Sequence, residues 1–152
     1  MSRVESVQKS LIAFLEESFP DWKWERSYTP TYVIHAMADG ESTGVVCLED
    51  IVTERNNSNG TKFTDIFTFT IALVHKLADK INATPEVDAK LSQVEHLRDV
   101  LRFQTSFSEG FRMVIPGAEH STSRPIYDRQ TLEEQNIFIG FLLLEVRVNG
   151  SR

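Results

Sequence analysis

Cysteine is almost missing from this chain. Cys47 is the only one in 152 residues, which excludes an intramolecular disulfide framework and leaves no cysteine cluster for a metal. Long apolar runs are missing too, since nothing approaches the ~18 to 20 residues of a membrane span. The N-terminus lacks a basic region followed by an apolar core and a cleavage site, because Glu16 and Glu17 interrupt Leu11 to Leu15. The expectation is a protein made and kept in a cytoplasm, without membrane contact. Basic charge is also scarce. Sixteen Lys and Arg face 22 Asp and Glu, for a net charge of −6, so tight general binding to nucleic-acid phosphates is disfavoured. The seven glycines are scattered, and none builds a Gly-rich loop ahead of a helix, so a Rossmann or P-loop phosphate cradle has no support.

What is present is an ordinary globular balance, 41% hydrophobic and 25% charged. A chain of this length buries roughly two thirds of its unfolded surface and needs no staple to fold. Residues 1–152 therefore read as one domain.

Hydrophobic period divides that domain. Val4, Val7, Leu11, Phe14 and Leu15 recur at three and four, which predicts a helix near 3–19 capped by Ser2 and closed by Pro20. Trp22, Trp24 and Tyr28 read as an aromatic connector, and Thr31 to Met37 as a short strand. Val45 to Val52 reads as a strand that leads through a polar stretch to Asn59-Gly60, a pair suited to a hairpin turn. The return strand is the clearest in the chain, with Phe67, Phe69, Ile71 and Leu73 on one face and Thr64, Thr68 and Thr70 on the other. Thr84, as cap, and Pro85 open a second helix over 85–103, with Val87, Leu91, Val94 and Leu101 as its apolar stripe. Phe111 to Ile115 reads as a strand, Ala118 to Glu134 as a surface loop, and Ile137 to Val148 as a long final strand. The expected fold class is α+β: a mainly antiparallel or mixed sheet flanked by two helices, with a long projecting β-hairpin.

Candidate chemistry is thin. His35, His75, His96 and His120 have no His, Cys or carboxylate partner at a metal-site spacing, and strand positions suit a structural role for His35 and His75. Glu119-His120-Ser121 places acid, base and hydroxyl side by side, yet triads are assembled from separate elements, so this run reads as solvated loop. Asp88, Glu95 and Asp99 share one helix flank, which reads as a solvated face. Cys47, among Val45, Val46 and Leu48, reads as a buried, inert thiol. No catalytic, cofactor-binding or metal site is expected, and the protein reads as a non-enzyme. Arg98 is the odd residue, since it falls near the centre of an apolar stripe. A snorkelling stem or a contact with a neighbouring subunit would each account for it.

The layout resembles a family. Its order of elements runs from an N-terminal helix to the strand Val45 to Leu48, then Glu54-Arg55, then a strand ending Ala72-Leu73-Val74-His75-Lys76-Leu77. Next come Glu86 to Glu95, leading into Leu97-Arg98-Asp99-Val100-Leu101-Arg102, then Tyr127, Leu132 and a last strand ending Leu144-Glu145-Val146-Arg147-Val148. Over residues 31 to 148 this order is similar to the tail terminators, the tail-completion proteins of long-tailed bacteriophages. The aromatic segment Trp22 to Tyr28 departs from that pattern. The resemblance implies a structural virion protein without a cofactor, forming a homo-hexameric ring at the tail–neck junction after assembly in the host cytoplasm. Its implied partners are the tail tube protein and the head-completion or stopper protein of the neck, while double-stranded DNA passes the lumen without specific binding. The candidate subunit-interface residues are Glu54, Arg55, Asn57, Asn59 and Gly60 at the hairpin end, with Arg98 on the second helix. The alternatives are another neck component and, from a different class, a small cytoplasmic α+β enzyme or ligand-binding domain.

Overall fold

Why α1 forms where it does is visible at both ends. Ser2 accepts a hydrogen bond from the Glu5 N–H at 3.1 Å, Phe19 N–H closes the last turn on the Leu15 carbonyl, and Arg3–Ser18 is helical between them. Its inward stripe is Val7, Leu11 and Leu15, joined by a fully buried Gln8. In this computed structural model the described residues are 2–28, 37–55, 61–103, 106–108, 111–114 and 127–151. The expected Asn59-Gly60 turn, and all but Met37 of the expected strand Thr31 to Met37, lie outside them.

Six strands form one sheet: β1 (Lys23–Ser27), β2 (Ser42–Arg55), β3 (Lys62–Lys76), β4 (Ser106–Ser108), β5 (Phe111–Val114) and β6 (Ile137–Ser151). Their spatial order is β1-β2-β3-β6-β5-β4, antiparallel throughout except for the parallel β1–β2 pair. With helices α2 (Thr84–Phe103) and α3 (Arg129–Gln135) the chain is a single small α+β domain with a mixed sheet, as the sequence pattern predicts. The β2–β3 hairpin is long, and β6 accompanies β3 along its whole length, from Ile137 opposite Lys76 to Ser151 opposite Lys62.

Three expectations are corrected. The aromatic connector contains a strand: β1 lies parallel to β2, with Trp24 opposite Gly44. A Cβ at Gly44 would run into the Trp24 indole, so the missing side chain is what lets the ring lie flat on the neighbouring strand. Trp24 Nε1–H then donates to the Phe19 carbonyl at 3.1 Å, tying β1 back to the end of α1. The second correction concerns the expected loop Ala118 to Glu134. Its described part holds a bridge from Tyr127 to Gly140 and the short helix α3, capped by Asp128 and ended by Asn136 in the left-handed region at φ 55°. The third is small: Thr84 is the first helical residue of α2 rather than its cap, because Val87 N–H reaches the Ala83 carbonyl at 2.9 Å.

The core has two parts. On one face of the sheet, α1 and α2 bury Phe67, Phe69, Ile71 and Leu73 of β3 together with Phe138, Leu142, Leu144 and Val146 of β6. Gly140 allows close approach there, since a Cβ would meet Val94 of α2 at 2.6 Å. Residues of opposite parity, Val45, Ala72, Val74, Ile137 and Ile139, gather with Met37 in a second buried cluster. Burial of that whole set leaves two places where function can sit: the far end of the hairpin, and the polar junction at the other end of β3.

Candidate functional site

The far end of the hairpin starts at a β-bulge between Leu48 and Asp50. Beyond it Glu49 to Arg55 are all exposed, while the facing strand β3 is mostly buried against β6. Among the described residues β1 covers only Thr43 to Cys47 of β2, so past Cys47 this edge has a neighbour on the β3 side alone. Ile51 and Val52 stand 42% and 48% exposed there. Asp50, Val52 and Glu54 sit opposite Thr68, Ile66 and Thr64 and share one face, so an apolar side chain stands between two carboxylates. Asp50 also accepts a hydrogen bond from Ile51 N–H at 2.8 Å. That bond occupies a backbone donor which an added strand would need, and with the bulge and the acidic side chains it guards the edge against indiscriminate sheet extension.

Asp65 anchors this region to α1. It is buried to 8% exposure, and its carboxylate accepts from Thr53 Oγ1 at 2.6 Å and from the Arg3 guanidinium, which also stacks over Phe63. Of the sequence-predicted interface residues, Glu54 and Arg55 lie on this exposed end, paired with Thr64 and Phe63. Asn57, Asn59 and Gly60 lie outside the described residues. Arg98 is elsewhere, half-buried on α2, with a buried Nε that lacks a hydrogen-bond acceptor. The structure therefore brings Glu54 and Arg55 together and leaves Arg98 apart from them.

The polar junction centres on His75, which is 3% exposed. Its Nδ1 lies 2.7 Å from Ser42 Oγ on β2 and its Nε2 lies 3.0 Å from Glu86 Oε1 in the first turn of α2. An ionised carboxylate only accepts, so Nε2 carries the proton and Nδ1 accepts from the Ser42 hydroxyl. Glu86 further accepts the N–H of Ala78 at 2.8 Å and of Asp79 at 3.4 Å. One carboxylate thus fixes the whole turn from β3 into α2. Burial pushes the His75 pKa down and the Lys90 charge adds to that, outweighing the hydrogen bond to Glu86. Burial alone would raise Glu86, but the Ala78, His75 and Asp79 hydrogen bonds together hold its carboxyl below the usual range.

No spacing in the sequence signalled this cluster. Its members are 33 and 11 residues apart, so the fold gives His75 partners that sequence reasoning missed. The order of groups is also not that of a hydrolase triad, in which the hydroxyl faces Nε2 and the carboxylate faces Nδ1. The cluster holds a strand–helix junction together.

The remaining candidates sit apart. Asp88, Glu95 and Asp99 are exposed on α2, and His96 meets only the edge of Phe19. Burial, with Glu49 nearby, pushes the Cys47 thiol up, so it stays protonated and unreactive. His35 and His120 lie outside the described residues. Among the described residues no three His, Cys, Asp or Glu side chains converge on a metal position, and no helix is long and apolar enough to cross a membrane. Compared with protein-family models and with curated proteins, the chain matches none.

Proposed function

We propose that this protein is a tail terminator: a structural virion protein whose copies, six by the resemblance, form a ring that ends the tail tube and joins tail to head in a long-tailed phage or phage-derived particle. The observation that carries the reading is the hairpin end, where a long strand pair offers an exposed, acid-rimmed apolar edge while the polar junction at the other end of β3 is committed to internal hydrogen bonds. A ring protein needs adhesive surface rather than a reaction centre. Net charge −6 per copy suits a lumen through which DNA slides without being gripped. The partners are then other copies of the chain, the tail tube and the head-completion or stopper protein, and no cofactor is required. Another neck component would use the same surfaces at a neighbouring position.

Imaging of tail tubes incubated with the protein tests the reading: a closed, sixfold cap is expected at one tube end. Caps of another symmetry defeat the hexamer, and bare tube ends defeat the assignment. The enzyme alternative has one observation in its favour, the Ser42–His75–Glu86 array. Labelling of Ser42 by a fluorophosphonate probe, lost in Ser42→Ala, would establish that alternative, and no labelling is expected.

A further inference from the structure

The turn between β3 and α2 carries Ile81, which is 100% exposed, more than any other large apolar residue among those described. The turn is stiffened on both sides of it. Asp79 Oδ1 accepts the N–H of Ile81 at 3.1 Å and of Asn82 at 3.0 Å, while Glu86 accepts the N–H of Ala78 and Asp79. Lys80, next to Ile81, reaches Asp39 only at 3.8 Å and remains half exposed. An apolar side chain with a cation beside it is therefore held out on a preorganised support, at little further ordering cost to whatever it meets.

The far end of the hairpin has the complementary chemistry. Val52 is 48% exposed and stands between Asp50 and Glu54 on the same face of β2. One molecule cannot join the two itself. Val52 sits opposite Ile66, Ile81 lies beyond Lys76, and the intervening stretch of β3 spans about 33 Å at a strand rise of about 3.3 Å per residue.

We propose that Ile81 of one copy docks on Val52 of the next, with Lys80 facing Asp50 and Glu54 across the contact. The choice of a second copy as occupant rests on the ring reading above, and charge complementarity of the two ends supports it. The contact is made by side chains, which fits an edge whose Ile51 N–H is already held by Asp50. Two different patches meet, so the contact is head-to-tail: each added copy leaves one Ile81 and one Val52 free until a ring closes. Rim charges select the partner end and the apolar anchor holds it.

Sedimentation of the full chain, over a range of concentrations at moderate salt, tests this. Lys80→Glu, Glu54→Lys and Ile81→Ser are each expected to weaken self-association by about tenfold or more, and Lys80→Glu mixed with Glu54→Lys should recover most of it. Because each change is on the surface, circular dichroism should show the fold unaltered. Separately, copies carrying Ile81→Cys and copies carrying Val52→Cys, mixed and oxidised in a Cys47→Ala background, should give linked dimers containing one of each. Association unchanged by all three substitutions, or links only between like copies, overturns the contact while leaving the ring reading in place. A chain still monomeric at about 1 mM, where any useful contact is populated, also overturns it. Independent imaging of tube ends then decides whether the ring reading falls as well.

Discussion

His75 is a neutral imidazole enclosed by a hydroxyl, a carboxylate and two backbone elements, and that placement makes it respond to acid in a definite direction. Its folded-state pKa is depressed, so below the ordinary histidine value of about 6.5 the unfolded chain binds more protons than the folded one. The stability linked to His75 is therefore complete above pH 6.5 and drains away as pH falls towards its folded-state value. Glu86, also depressed, adds a further loss as pH drops through the carboxylate range near 4.5. Urea unfolding at pH 7.5 and 5.5 should show a clear drop in midpoint for the wild type. His75→Gln keeps a donor for Glu86 and an acceptor for Ser42, and should show a smaller drop. Gly44 gives a second expectation at this scale. Gly44→Ala forces the Trp24 ring from its seat and should cost roughly 1 to 3 kcal/mol, read as a lower urea midpoint with unchanged slope.

Among the elements, legibility followed the strength of local pattern. The helix α1 declares itself through a cap and an unbroken three-and-four stripe, and β3 through four apolar residues in strict alternation. The strand β1 is five residues long with Trp24 as its only large apolar member, and what makes it a strand is the flat seat that Gly44 offers 20 residues later. No window of sequence contains that fact. The short helix α3 escapes for a related reason: Leu132 is its only large apolar residue, so no stripe forms. Its bounds are set by the Asp128 side chain accepting from Thr131 N–H at 3.1 Å and by the left-handed Asn136. Asp128→Ala should accordingly lose about 1 kcal/mol, with the change in hydrogen exchange confined to the residues of α3. The candidate site divides the same way. The exposed end at Glu54 and Arg55 follows from a run of polar residues, whereas the Ser42–His75–Glu86 cluster and the exposed Ile81 exist only once β2, β3 and α2 have been placed.

For the molecule as a whole, the arrangement puts its polar commitments at one end of β3 and its guarded, acidic edge at the other. Between the ends, two clusters of apolar side chains fix the distance that separates them. Raising salt should act on the two ends unequally. The buried His75 junction is shielded from mobile ions, but the contact between Lys80 and the Asp50–Glu54 pair lies at a rim and is screened within roughly 8 Å at physiological ionic strength. Self-association should weaken between 50 mM and 500 mM salt while the thermal midpoint of the monomer moves little, which sedimentation and calorimetry on the same samples can check.

The pairing of β3 with β6 has a consequence for how the molecule comes into being. The hairpin that joins β2 to β3 closes over a short stretch of chain, but Lys62 meets Ser151 across most of a second half of the sequence. Closing so large a loop is entropically slow, and it cannot begin on the ribosome before β6 has been made. Until then Phe67, Phe69 and Ile71 have a strand on one side only. The growing chain passes through a stage in which its stickiest strand has a naked flank, and a nascent-chain chaperone, or simply rapid completion of synthesis, is what carries it past that stage.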